Sequence, residues 1–485
     1  LPGYGPVVPF SAGTGSRTPK MLPTLRAAIE ASGLKDGGTV SFHHHLRNGD
    51  QVINMVIGQI ALMGITDITV AASSLFAVHA PLVEHIKSGV VGGIHAAYIS
   101  GPVAHAVSRG LLRRPAVMCT HGGRARSIES GQLRIDCAFI AAPTADACGN
   151  LNGVDGKSAC GTLGYAVADS LYAKCVVAVT DNLVPYPACP IEIGQDRVDF
   201  VVAVESIGDP AGILSGTTRA TLDPVGLRIA RGATDVIAAS GLLVDGFSFQ
   251  TGAGGISLAV AAALKELMQE RGVQGSFASG GITGYIVDML EAGLFKALFD
   301  VQCFDLKAVE SYRRNPAHQA MSASMYANPH RRGAVVDQLD VMILGATEID
   351  LAFNVNVTTG SDGVIMGGSG GHADAAAGAR LAVVTTRLNA GGYAKIAERV
   401  TTITTPGASV DVLVTDEGVA VNPLRPDLAQ RLRAAGIELR SIGELKALAD
   451  ARATSVPAPR AETARIVAVV EYRDGTVIDV VRMVE

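Results

Sequence analysis

The chain of 485 residues has the length, at roughly 150 residues per domain, for two large domains or about three smaller ones with sizeable cores. Hydrophobic residues are 48% and charged residues 18%, and 40 basic against 45 acidic side chains leave a formal charge of -5. That balance argues against a nucleic-acid partner and against a disordered chain. No apolar run reaches the roughly 18 residues that cross a bilayer, and the opening segment lacks a secretory pattern, so a soluble, cytoplasmic protein with no membrane partner is expected.

Residues 1–20 are rich in proline, glycine and serine and read as an extended arm. Leu22, Leu25 and Ile29 then share a helix face that closes near Gly33, and TVSFHHH follows as a strand. Asp50 is placed to cap a helix carrying Val52, Met55, Val56, Ile60 and Met63, with DITVAASS as the next strand. VVGGI, AVMCT, DCAFIAA, CVVAVT and DFVVAVE are short apolar runs without alternation, the pattern of strands buried on both faces in a helix-covered parallel sheet. The turn-like stretch around 206–240 marks a boundary, which predicts one α/β domain over 21–225 and a second over 226–485. In the second half, a helix over 230–239, strand GFSFQ and a long helix from GISLAV precede further strands. VAVVEYRDGTVIDVV reads as a hairpin about its D-G turn.

Seven cysteines, Cys119, Cys137, Cys148, Cys160, Cys175, Cys189 and Cys303, are odd in number and lack CxxC spacing, which fits reduced thiols rather than disulfides or zinc. Cys160 and Cys303, with no adjacent base, read as core residues. The 56 glycines point to tight turns and close backbone approach to a ligand. His43, His44 and His45 alternate faces on an extended segment. An anion site at the following helix N-terminus, a metal, or structural hydrogen bonding are all open to them. His121, Arg124 and Arg126 follow a strand and either clamp carboxylates or form a basic surface turn. The run ending Gly156-Lys157-Ser158 fails as a phosphate loop, because Leu151 stands where glycine is required. Gln250, Thr251, Gly252, Gly254 and Gly255, between a strand and a helix, would let amides meet a pyrophosphate or thioester. Gly367 to Gly371, with Gly368, Ser369 and Gly370, offer donors for an anion or oxyanion. Asn354 and Asn356 read either as a site wall or as turn residues.

The segments SFHHHLRNGD, HGGRARSIE, TDNLVPYP, GFSFQTGAGG, FNVNVTTGSDGVIMGGSGGHAD and VTDEGVAVNPLRPDL together resemble the alpha subunits of bacterial citrate lyase, within the broader group of CoA-transferases and acetyl-CoA hydrolases. The likeness runs from about residue 33 to the end. It implies two related open α/β domains of the CoA-transferase type, with mostly parallel sheets flanked by helices and the active site between them. Two departures from the broader group stand out. His372 and Ala375 replace a glutamine and a phenylalanine of its glycine-rich loop. The segment Asp300 to Asp305 lacks the glutamate that forms a glutamyl thioester in many relatives, in keeping with direct reaction between substrates.

The resemblance implies transfer of a CoA or carrier thiol from an acetyl thioester to citrate through a mixed anhydride. His44, Gly254, Gly255, Gly370 and Gly371 are expected at the reacting centre. Arg47, Arg124, Arg126 and His121, with Asn354 and Asn356, are expected on citrate, and Gln250 to Gly255 with Gly368 to Gly370 on the thioester. No metal and no tightly bound cofactor are expected. The thioester substrate is acetyl-CoA or the phosphoribosyl-dephospho-CoA arm of a carrier subunit. A beta lyase subunit, a gamma acyl carrier subunit and further copies of the chain are the implied partners. The alternatives are an acyl-CoA hydrolase, a CoA-transferase for another acid, and a noncatalytic subunit that binds the CoA arm.

Overall fold

A computed structural model describes residues 20–214, 219–455 and 463–484. The arm expected over 1–20 lies outside the described residues apart from Lys20.

The apolar runs assemble into two large sheets. The first has ten strands in the order Met21–Leu22, Phe200–Ala203, Val176–Thr180, Cys137–Ala142, Thr39–Phe42, Ile68–Ala72, Val91–Ala96, Ala116–Met118, Ile466–Glu471 and Val477–Arg482. Neighbours are parallel except for the last pair. The second has eight strands in the order His318–Ala320, Phe295–Cys303, Gly275–Ile282, Ser248–Thr251, Val341–Gly345, Leu381–Thr385, Val412–Thr415 and Gly418–Val421. Only its final pair is antiparallel. Runs such as Cys137–Ala142 and Leu381–Thr385 are buried at every residue, which is why they carry no polar alternation. The α/β class with mostly parallel sheets flanked by helices is as expected.

The C-terminal hairpin forms about its D-G turn as the sequence predicts. It does not extend the second half: Ala468, Val469 and Val470 pair with Ala116, Val117 and Met118 of the first sheet. A second half running unbroken to the chain end, as the expected 226–485 unit has it, therefore does not match the sheets. The hairpin's apolar face is completed by the first half's core, and sequence periodicity carries no information about which sheet edge accepts it.

Several local signals are met. Thr24 caps the helix Leu25–Ser32, which ends at Gly33 with φ 68°. Leu22, given to that helix by periodicity, lies in the edge strand before it. Asp50 accepts from the N–H groups of Val52 and Ile53 at the start of Val52–Leu62. The long helix is Gly255–Arg271, and the helix before it starts earlier than expected, at Pro224, under the cap of Asp223.

The halves share a small motif. Asp146 Oδ1 accepts from the N–H groups of Cys148 and Asn150, and Asn150 Nδ2 donates to Asp146 Oδ2. Asp350 Oδ1 likewise accepts from Ala352 and Asn354, and Asn354 Nδ2 donates to Asp350 Oδ2. In both halves the motif follows a central parallel strand and forms a small sheet of its own.

Candidate active site

The carboxyl ends of parallel strands from both sheets border one cleft of about 330 Å³, the position at which open α/β sheets bind ligands. His44 and Arg47 follow Thr39–Phe42, and Phe76 follows Ile68–Ala72. Tyr98 follows Val91–Ala96, and His121 opens the helix after Ala116–Met118. From the other sheet come Gln250 and Thr251, Gln302 and Gly345. A larger cavity of about 730 Å³ opens beside Arg399–Thr402 and the strand Val477–Arg482. It holds none of the residues expected from the sequence and none of the buried unpartnered side-chain atoms described next.

The glycine-rich loop bridges the halves. Ile99 N–H donates to Gly367 O at 3.1 Å, Gly370 N–H to Ala97 O at 3.0 Å, and His121 N–H to Gly370 O at 2.8 Å. Gly370 has φ 50°, and a Cβ at Gly368 would lie 2.4 Å from Ala97 O, so side chains are excluded by backbone on both counts. The Gly370 amide is thus engaged, whereas the N–H groups of Ser369 and Gly371 make no hydrogen bond within the described residues.

His44 stacks on Tyr165 at 4.6 Å between centroids and on His121 at 5.4 Å, and its Nδ1 is hydrogen-bonded with Ser73 Oγ. Burial lowers the pKa of His121 to about 3, with Arg124 contributing. Burial, then the neighbouring His121 and His45, lowers that of His44 well below 6.5. The imidazoles are therefore neutral near pH 7 and act as oriented hydrogen-bonding groups. His43 and His45 turn away from the cleft, joined through their Nδ1 atoms.

Arg47 has φ 50°, an uncommon conformation for a side-chain-bearing residue. Its guanidinium carbon lies 5.6 Å from the Phe76 centroid and 4.9 Å from the Phe304 centroid, and Nη1 is buried with no hydrogen-bond partner among the described residues. Burial lowers its pKa. A sandwiched cation with a free fork atom facing a cleft suits a carboxylate ligand.

Arg124 and Arg126 do not reach the cleft. Arg124 is buried with its guanidinium on Asp169, Nη1 to Oδ2 at 3.0 Å and Nη2 to Oδ1 at 2.8 Å, and Nη2 also donates to Ser41 Oγ and Ala71 O. That pair ties the helix begun by His121 to the helix Ala166–Tyr172, which follows Tyr165, and so holds the two rings 4.4 Å apart. Arg126 lies buried against Gly475 of the C-terminal hairpin. Arg124 stands one turn from His121, but Asp169 holds its guanidinium, and Arg126 is taken up by the hairpin.

Asn354 and Asn356 are turn residues rather than a site wall. Asn354 closes the motif on Asp350 and accepts from Gly407 N–H, and buried Asn356 holds Glu348, Thr358 and Thr359. Asn150 and Asn152 do the corresponding work in the first half. Gln250 donates to the Tyr326 hydroxyl at 2.8 Å and, with Thr251 and Gly252, lines the cleft. The Gly252 amide donates to Ile343 O at 3.0 Å and is not available to a ligand. Gly254 and Gly255 border a neighbouring depression of about 290 Å³ with Arg387 and Lys395, and Gly345 lies on the rim of both spaces. Asp300, Cys303 and His318 are the one cluster of metal-ligating types among the described residues. Asp300 Oδ2 already accepts from Cys303 Sγ at 3.0 Å and His318 Nε2 at 3.1 Å. Cys160 and Cys303 are buried, with thiol pKa values raised by burial.

Sequence reasoning missed the aromatic wall of Phe76, Tyr98, Tyr165, Phe304 and Tyr326. In a chain with no Trp, 12 Phe and 10 Tyr, the placement of Phe76, Tyr98 and Phe304 just after strands was an available signal, whereas Tyr165 and Tyr326 belong to helix segments and gave none.

A family model for citrate lyase, alpha subunit (CitF), matches residues 18–484. The chain belongs to the citrate lyase alpha subunit family. The citrate lyase alpha chain of Escherichia coli K12 is 51% identical over 470 residues, covering 97% of this chain and 92% of that one. That of Klebsiella pneumoniae is 50% identical with the same coverage. A Streptococcus mutans structure described as a citrate lyase alpha subunit in complex with citrate superposes with TM-score 0.94 at 48% identity, covering 99% of this chain and 93% of that one. The CoA-transferase type of fold extends beyond the citrate lyase alpha family. A Pseudomonas malonate decarboxylase chain matches at TM-score 0.66 and 16% identity, covering 88% of this chain and 85% of that one. A Porphyromonas gingivalis 4-hydroxybutyrate CoA-transferase matches at 0.57 and 17%, covering 89% and 96%.

Proposed function

We propose that the protein is the transferase component of citrate lyase, turning an acetyl thioester and citrate into a citryl thioester and acetate. A citrate carboxylate oxygen attacks the acetyl carbonyl and expels the thiolate, leaving a mixed acetic-citric anhydride. The thiolate then attacks the citryl carbonyl, the anhydride C–O bond breaks and acetate departs. No proton is gained or lost overall. The observation that carries this reading is Arg47, a half-buried cation lining the cleft of a chain from this family, whose buried Nη1 has no partner among the described residues.

Arg47 anchors a carboxylate of citrate between the rings of Phe76 and Phe304. His121 and His44 orient the rest of the acid as neutral rings, with Tyr165 packed behind them. The amides of Ser369 and Gly371 meet the tetrahedral oxyanions, whose stabilisation is usually the largest catalytic contribution. The segment Asp300 to Asp305 holds no glutamate for a covalent glutamyl step, and the Gln302 amide is no nucleophile for it. Holding both substrates in attack geometry supplies the remaining acceleration.

The thioester arm runs past Gly345 into the depression at Gly254 and Gly255, where the helix N-terminus, Arg387 and Lys395 favour its anionic groups. The arm belongs to free acetyl-CoA or to a gamma carrier subunit bearing phosphoribosyl-dephospho-CoA, and a beta subunit cleaves the citryl thioester. Among the described residues no helix is long and apolar enough to cross a membrane.

Mass-spectrometric detection of citryl-CoA and acetate after mixing the protein with acetyl-CoA and citrate tests the reading. Both products are expected only when citrate is present. Acetate released without citrate would instead identify a hydrolase, and binding without turnover, even with the carrier restored, a noncatalytic subunit.

A further inference from the structure

Three residues lining the cleft each carry a buried side-chain atom with no hydrogen-bond partner among the described residues: Arg47 Nη1, His121 Nδ1 and Gln302 Oε1. The guanidinium can only donate and the imidazole can do either, but the amide oxygen can only accept. A ligand that satisfies all three must bring acceptors for Arg47 and a hydrogen-bond donor for Gln302. A buried acceptor left unmet destabilises the complex, so this third requirement discriminates between ligands.

The direction of the Gln302 amide is fixed. Its Nε2 donates to the His44 carbonyl at 3.1 Å, and turning the amide round would set two acceptors face to face. The backbone beneath it is fixed as well. Gln302 N–H donates to Asp300 Oδ1 at 2.8 Å, while the other oxygen of Asp300 holds Cys303 and His318. Gly280 pairs with Asp300 and Gly281 with Gln302, leaving Val301 as the extra residue of a bulge. Bulges of this kind re-aim side chains next to active sites.

Resting on the transfer reading, we propose that Gln302 determines specificity for a hydroxy acid, with Oε1 accepting the hydroxyl hydrogen of citrate while Arg47 holds a carboxylate. Every carboxylate oxygen of ionised citrate is an acceptor, and its hydroxyl is the only donor it can offer this oxygen. Gln302 is then a recognition residue for the acid substrate and takes no part in bond making. The amide groups of a pantetheine arm are the competing donors in this site, and the experiment separates the two.

The test compares citrate with tricarballylate, which carries the same carboxylates without the hydroxyl, using the full chain and acetyl-CoA. The wild-type protein is expected to favour citrate in kcat/KM by on the order of 10²-fold or more, since a site built to bond a hydroxyl rejects the analogue lacking it. Gln302→Met is expected to lower the citrate value, leave tricarballylate within about threefold and bring the ratio below about tenfold. Each ratio is taken on one preparation, so an inactive fraction cancels. A wild-type ratio near unity, an unchanged ratio in Gln302→Met, or an effect confined to the KM of acetyl-CoA would overturn the assignment. Calorimetric Kd values for the two acids give the same comparison without turnover. If neither acid reacts even with the acetylated carrier restored, the transfer reading fails, and the Kd ratio still decides the role of Gln302.

Discussion

Thr120 donates its hydroxyl hydrogen to Asp374 at 2.8 Å, although 254 residues separate them in sequence. The second oxygen of Asp374 accepts from Gly122 N–H at 2.9 Å, so one carboxylate fastens the helix after the glycine-rich loop to the helix that begins with His121. Burial outweighs these bonds and the nearby Arg473, and raises the carboxyl from 3.8 to about 6.

A raised folded-state pKa gives stability that is complete below the unfolded value of 3.8 and is lost as pH rises through about 6. Relative to Asp374→Asn, the wild-type protein should lose about 2 kcal/mol between pH 4 and pH 7. Urea denaturation of both proteins across that range measures it. Parallel curves would show that Asp374 does not titrate as described.

The buried histidines act in the opposite sense. His43 and His372 are lowered to about 4 and His95 and His121 to about 3, with burial the first cause in each, and His44 and His45 are lowered too. Their contribution is present above 6.5 and is lost as pH falls through the folded values, because the unfolded chain takes up the protons first. Six such groups outnumber the buried acids that act the other way, Asp374 and Glu192, the latter raised by burial to about 8, so net stability should fall as pH drops from 7 to 5. His372→Gln should reduce that slope by up to about one proton, or about 1.4 kcal/mol per pH unit. The denaturation midpoint against pH reads the slope directly.

Arg47→Lys keeps a charge at the cleft but loses the planar fork that lies between Phe76 and Phe304. Its kcat/KM for citrate should fall by about 10²-fold, with the KM of acetyl-CoA changed far less. Steady-state kinetics with each substrate varied in turn separate the two. Equal losses for both substrates would remove Arg47 from the acid site.

Arg124→Ala leaves Asp169 buried without its partner. The expected loss is about 3–5 kcal/mol of folding stability, seen as a lower denaturation midpoint. Arg124→Ala protein that retains full stability while its citrate KM rises would restore the carboxylate-clamp role suggested by the sequence.

Those two arginines show what could be read from the sequence. Both stand after a strand among glycine and histidine, and both were reasonable carboxylate ligands. What separates them is the partner: Asp169 lies 45 positions from Arg124, and no local pattern announces it. Arg47 is left free because its turn has a positive φ and because Phe76 and Phe304, from different sheets, close over it. Asn354 and Asn356 had a legible counterpart in Asn150 and Asn152, hidden by substitution of nearly everything between them. The parallel strands, the long helix and the glycine-rich loop were visible because apolar runs, periodicity and glycine density are local properties. The membership of the C-terminal hairpin was not, since an edge strand's partner depends on which sheet presents a matching open edge.

That hairpin also bears on the order in which the chain can fold. The edge at Ala116–Met118 is made early in translation, and the strand that covers it, Ile466–Glu471, emerges only after the whole eight-stranded sheet has been synthesised. Until then the nascent first sheet carries an unpaired parallel edge, the kind of surface that recruits another chain. Closing that edge is thus a contact the chain can make only after every earlier strand of both sheets has been synthesised. A fluorescent reporter at Val117 would register it last.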